Sequence, residues 1–160
     1  MSRVAVATVW VVLALAAREG FTAPAPTDAI RAAWSELDAA WAARDLERMV
    51  RLFADEAVFA FPPGDYRLDG KPAIRAHFAA QFPKQSPALR HVTEVGHIRP
   101  VGDGLYAVDA GVRVVRTADD GAELSVLRAF AVFALMRARE QGWELLEVRA
   151  FRLPDEPEAR

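Results

Sequence analysis

Apolar residues recur at helical spacing as far as Phe82 and at strand spacing from Leu89 onward, and this change of period limits the fold more than any other feature. Helices first and strands afterwards point to an α+β domain, with the helices gathered on one face of a mainly antiparallel sheet. Ahead of the change, Ile30, Trp34, Leu37 and Trp41 form one stripe, which predicts a helix from Asp28 to about Arg44 capped by Thr27 or Asp28. Leu46, Met49, Val50 and Phe53 predict a second helix over 45–54. Ala57 to Phe61 is short, apolar and rich in Val and Phe, and Pro62-Pro63-Gly64 closes it, as suits a buried strand. A third helix is expected over 70–82, with Pro72 in its first turn, where a missing N–H costs nothing, and with Ile74, Phe78 and Phe82 on its apolar face.

Behind the change lie four strand patterns, Arg90 to Arg99, Leu105 to Arg116, Glu123 to Arg137 and Trp143 to Leu153. Gly102-Asp103-Gly104, Asp119-Asp120-Gly121 and Glu140-Gln141-Gly142 separate them and are short enough for a meander. If Asp119 pairs with Ala122, one face collects Val108, Ala110, Val112, Val114, Leu127, Ala129, Ala131, Phe133 and Leu135, joined by Leu146, Val148 and Ala150. The other face mixes Asp109, Arg113, Arg128, Glu147 and Arg149 with Val126, Phe130, Val132, Met136, Leu145 and Phe151. A sheet buried on one side only has a polar second face, so this pattern predicts cover on both, one by the helices and one by a second copy of the chain. A one-residue bulge would exchange these assignments.

The ends read differently. Met1-Ser2-Arg3 followed by an uncharged run from Val4 to Ala17 and then small residues has the form of a secretory signal peptide, with linker to Ala25; the run is too short for a permanent membrane anchor. The expectation is a signal and linker over 1–25, a folded domain over 26–154, a frayed tail over 155–160, and a secreted or periplasmic location. The chain has no cysteine, which excludes disulfides, thiolate metal sites and cysteine nucleophiles. Its 20 basic and 22 acidic residues leave a formal charge of −2, without the footprint that holds phosphate backbones, so nucleic acid is not an expected partner.

Chemistry-bearing residues are few. In a strand, His91 and His97 would share a face but stand roughly 20 Å apart, too far for one metal ion, so no metal site is expected. His77 lies beside the apolar row of the third helix and reads as a core-edge histidine. Asp109 and Arg128 fall within apolar strand runs and could approach diagonally on adjacent strands, as a structural ion pair or as groups that orient a ligand. No Gly-x-Ser-x-Gly elbow, phosphate loop or dinucleotide fingerprint occurs, so neither nucleophilic catalysis nor a nucleotide cofactor is indicated, and no cofactor is expected.

The opening AAWSELDAAWAARDLERMVRLFADEAVFAF, the helix start Gly70-Lys71-Pro72-Ala73-Ile74-Arg75 and the last-strand entry Gly142-Trp143-Glu144-Leu145-Leu146 resemble the nuclear-transport-factor-2-like superfamily. Within it the chain is similar to the SnoaL-like and ketosteroid-isomerase-like small bacterial proteins, over about Asp28 to Leu153. The resemblance implies a cone-shaped roll, a curved sheet wrapped by three helices around an apolar pocket, commonly dimerised through the sheet. It does not imply one reaction, because members include isomerases, cyclases, hydratases and binding domains. None of the three ketosteroid isomerase groups, a carboxylate base, a tyrosine and a protonated acid, falls on a matching motif here, and Arg149 stands near where many relatives carry a last-strand histidine. The reading is therefore a domain that binds a small apolar molecule or a partner protein, with a cofactor-independent acid–base enzyme of the isomerase, cyclase or hydratase class as the alternative. Trp34, Trp41, Phe59, Tyr66 and Phe78 are the candidate wall residues, Asp109 and Arg128 the candidate polar contacts, and Asp109 the candidate catalytic group.

Overall fold

The computed structural model describes residues 25–62 and 66–154; the expected signal segment, apart from Ala25, and the expected tail from residue 155 lie outside them. The first helix, α1, spans Pro26–Ala43. It starts earlier than the capping residues suggested. Pro26 occupies the first turn, and the Ala25 carbonyl accepts the Asp28 and Ala29 N–H groups, so no side-chain cap is used. Arg44 ends it in the left-handed region at φ 54°, where Arg44 N–H bonds the Trp41 carbonyl and Asp45 N–H that of Ala40. The stripe faces the sheet as expected: Ile30, Trp34, Leu37 and Trp41 are all buried.

The second helix, α2, is shorter than the spacing predicts. It covers only Leu46–Val50, capped by the Asp45 carboxylate on Arg48 N–H at 3.0 Å. Phe53 belongs instead to strand β1, Phe53–Ala60, because it pairs in parallel with Leu145, whose N–H bonds the Leu52 carbonyl at 2.7 Å. A contact between residues far apart in the chain thus overrides a helical spacing pattern, as tertiary packing does over local propensity. Strand β2 (Arg67–Asp69) pairs back on β1, Gly70 turns the chain at φ 83°, and α3 runs over Lys71–Gln81.

Strands β3 (Leu89–Gly102), β4 (Leu105–Thr117), β5 (Glu123–Arg139) and β6 (Gly142–Arg152) form the expected meander. They complete an unclosed six-stranded sheet of order β2-β1-β6-β5-β4-β3, antiparallel except where β1 meets β6. Helices α1 and α3 cover one side of it, the inner face, and close the α+β roll.

The face assignments need one correction. Val115 pairs with Val126 and Arg116 with Ser125, as the turn at Asp119-Asp120-Gly121 predicts, but Val114 pairs with Arg128. Leu127 is the extra residue of a bulge, and every β5 side chain beyond it changes face. Arg128, Phe130, Val132, Ala134 and Met136 therefore stand with Val108, Ala110, Val112 and Val114 on the inner face, whereas Ala129, Ala131, Phe133 and Leu135 stand outside with Asp109 and Arg113. Burial agrees with the register: Val132, Ala134 and Met136 are buried, while Ala131 and Phe133 are not. Leu145 also faces inward, opposite Met136, across a second bulge at Leu146. On β3 a bulge between Val95 and Ile98 puts His97 on the face opposite His91, so the two histidines do not share a side.

Candidate functional site

Between the helices and the inner sheet face lies a half-open cavity of about 630 Å³. Its walls are mostly rings. Phe59 stacks on Phe78 at 5.9 Å and Trp41 lies 5.5 Å from the His91 ring, while Phe82, in the core behind the wall, meets Phe78 at 5.8 Å and Trp41 edge-on at 6.4 Å. On the other flank Phe61 joins Phe59 at 4.7 Å and Phe130 at 6.4 Å. The sheet supplies the floor through Val112, Val132, Val148 and Ala150, alternate residues brought to one side by the pleat. Six of the seven residues singled out from the sequence line this space: Trp34, Trp41, Phe59, Tyr66, Phe78 and Arg128.

Asp109 is the exception. It is exposed on the outer face, opposite Phe133, while Arg128 lies inside, opposite Val114. The expected approach of the two does not occur, because the Leu127 bulge turns Arg128 to the other side of the sheet. Asp109 borders a shallow outer depression with Gly96, Gly111, Ala131, Phe133 and Phe151.

Besides Arg128, the polar chemistry of the cavity comes from two histidines that the sequence did not place in it and from Asp38, which it did not mark. His91 enters from β3, and its Nδ1 bonds Asp38 Oδ1 at 2.6 Å. Asp38 also accepts Thr93 Oγ1 at 2.8 Å and the Thr93 backbone N–H at 2.8 Å. With Asp38 as the acceptor of all three bonds, the proton in the shared bond lies on Nδ1, and Nε2 is the ring nitrogen left over. Among the described residues Nε2 has no hydrogen-bond partner. A second histidine, His77, bonds the Tyr66 hydroxyl through Nδ1, and burial pushes its imidazole below the ordinary value of 6.5. The signal that could have found Asp38 is its place one residue from Leu37 and three from Trp41, at the rim of a buried stripe. Its partner, 53 positions away, leaves no local trace.

Two buried side-chain polar atoms lack a hydrogen-bond partner among the described residues, Trp34 Nε1 and Gln85 Oε1, and both residues line the cavity. Leaving such an atom unsatisfied costs roughly 1–3 kcal/mol.

The fold, helices packed over one face of a sheet, is shared with known proteins. The profile of the SnoaL-like domain matches residues 27–141. The chain belongs to the SnoaL-like domain family. Solved structures similar to this SnoaL-like domain include Aln2 from a Streptomyces species, 19% identical at a TM-score of 0.70, covering 82% of this chain and 94% of that one. A protein domain of unknown function with a cystatin-like fold from Nostoc punctiforme is 22% identical at a TM-score of 0.69, covering 84% of this chain and 82% of that one. A ketosteroid isomerase-like protein from Erwinia carotovora atroseptica is 16% identical at a TM-score of 0.62, covering 80% of this chain and 96% of that one. At these identities the likeness is one of fold. No curated protein matches the SnoaL-like domain described here.

Proposed function

We propose that the domain binds a small, largely apolar molecule in the cavity between α1, α3 and the inner sheet face. The observation that carries this reading is the half-open cavity of about 630 Å³, lined by the rings of Trp34, Trp41, Phe59, Phe61, Phe78 and Phe130. A bound molecule of that size would cover the rings with its apolar body. Filling the space tests this: Ala150→Trp should abolish binding of an aromatic probe in calorimetric titration while retaining the fold. Unchanged affinity would overturn the reading.

A second reading, cofactor-independent proton transfer, is favoured by the Asp38–His91 pair. Nε2 would take a proton from a carbon or hydroxyl of the ligand, and Asp38 would hold the resulting imidazolium charge. The chemistry fits the isomerase, cyclase or hydratase class. Deuterium uptake at the α-carbon of 2-tetralone in heavy water measures it directly. If the wild type speeds exchange and His91→Gln lowers that rate by about 10²–10⁴, the pair is a catalytic base; no acceleration by the wild type leaves binding alone.

Two further expectations carry over as proposals. The outer face leaves Val126, Leu127 and Phe151 exposed, and a second copy packed there would cover them; a monomer mass by light scattering at micromolar concentration would refute it. Export rests on the Met1 to Ala25 pattern and is tested by N-terminal sequencing of protein from the envelope or medium, which should begin after Ala16 or Ala25. Among the described residues, no helix is long and apolar enough to cross a membrane.

A further inference from the structure

The permanently charged residues of the cavity lining are of one sign. They are Arg128 and Arg152, and among the described residues neither an aspartate nor a glutamate lines it. The carboxylate nearest in bonding terms, Asp38, is committed to His91 and Thr93. Several arginines elsewhere are matched: Arg48 with Glu36, Arg113 with Glu123, Arg137 with Glu144, Arg149 with Glu147. Arg128, like Arg99 and Arg116, has neither hydrogen-bond nor ion-pair partner among the described residues, but of these three it is the one that lines the cavity. Its position follows from the Leu127 bulge, which turns it to the inner face two residues from Phe130; Phe130 in turn pairs with Arg152. Two guanidinium-bearing residues thus stand at one end of a cavity otherwise walled by rings and aliphatic side chains.

From this we infer that the ligand is an apolar carboxylate, with its hydrocarbon body against the Phe59, Phe78 and Trp41 rings and its carboxylate on Arg128. The inference deepens the binding reading above and rests on it. A guanidinium offers a planar fork that fits the two oxygens of a carboxylate, and the bond between ionised groups is stronger than one to a neutral alcohol. A neutral ligand would gain less from Arg128, and an ammonium would be repelled. A nucleotide or other polyphosphate needs more cations than this end of the cavity provides.

Three probes with the same ring system test it on the full chain: 2-naphthoate, 2-naphthylmethanol and 2-naphthylmethylammonium, titrated calorimetrically. The naphthoate should bind about 10-fold tighter than the alcohol, and the ammonium more weakly than either. Raising the salt concentration should narrow the gap, because Arg128 is exposed at the cavity edge. Arg128→Gln should reduce naphthoate affinity to within about twofold of the alcohol's and leave the alcohol's unchanged, and Arg128→Lys should restore part of the loss. Equal affinity of the wild type for naphthoate and alcohol would overturn the carboxylate assignment while the cavity reading stands, as would an equal loss for all three probes in Arg128→Gln. Failure of all three to bind would overturn both.

Discussion

Two carboxylates with low exposure, Glu144 and Asp38, sit in different parts of the molecule and are used differently. Glu144 opens β6 opposite the end of β5, and its side chain is 6% exposed. Its Oε1 accepts Arg137 Nε at 2.8 Å, Arg139 approaches Oε2 at 3.2 Å, and Arg137 reaches on to Glu56 at 2.9 Å. Every donor there is a permanent cation, and the Glu144 and Glu56 carboxylates hold the Arg137 guanidinium above its ordinary value. Such a cluster is closed: its charges neutralise one another and no atom is left with chemistry to perform. Asp38, 21% exposed, is equally committed, but to a backbone N–H, a hydroxyl and an imidazole that belongs to the cavity wall and has a second nitrogen. A buried acid becomes a functional candidate through the unspent valence of its partner rather than through its own burial.

Removing each carboxylate should separate the two roles. Glu144→Ala should have the largest effect on stability, about 2–3 kcal/mol in urea unfolding, since Arg139 loses its carboxylate and Arg137 one of its two, while both cations keep roughly two-fifths of their surface in water. Probe binding in the cavity should not change. Asp38→Ala should cost less, about 1–2 kcal/mol, for the stranded Thr93 and His91 donors, and should also remove any proton exchange that His91 performs. If Asp38→Ala proved as destabilising as Glu144→Ala and left exchange intact, the comparison would collapse and both clusters would be structural. His91→Gln should cost under about 1 kcal/mol, because the amide can still donate to Asp38 while the lone pair of Nε2 is lost.

The smallest effect is on the pH profile of stability. Burial depresses the folded His77 value below its unfolded 6.5, so between the two the unfolded chain binds more protons, and acidification favours unfolding. Its contribution is complete above pH 6.5 and is lost as the pH falls through the window beneath. His77→Gln should flatten that part of the thermal-midpoint profile. The Glu36 and Glu56 carboxylates are held below 4.5, by the Arg48 bond for Glu36 and by its own backbone N–H and then Arg137 for Glu56. Their contributions are present above that value and disappear only at lower pH, so the slope there should survive the His77 change.

Period and composition were enough to give the layered α+β architecture, the order of elements and the buried stripe of α1, because those depend on side chains three, four or two positions apart. The resemblance to a cone-shaped family, which implies an apolar pocket, brought Trp34, Trp41, Phe59, Tyr66 and Phe78 forward as its walls. The length of α2 was not legible, because Phe53 answers to Leu145 rather than to its neighbours. Nor was the side of the sheet that Arg128 occupies. One extra residue at Leu127 reverses a strand whose local sequence fits either face, and it sends Arg128 into the cavity while Asp109 stays outside. The pairing of Asp38 with His91 is likewise a product of tertiary structure: a hydrogen bond is decided within about 3 Å, and the two groups come that close only once α1 is laid across β3.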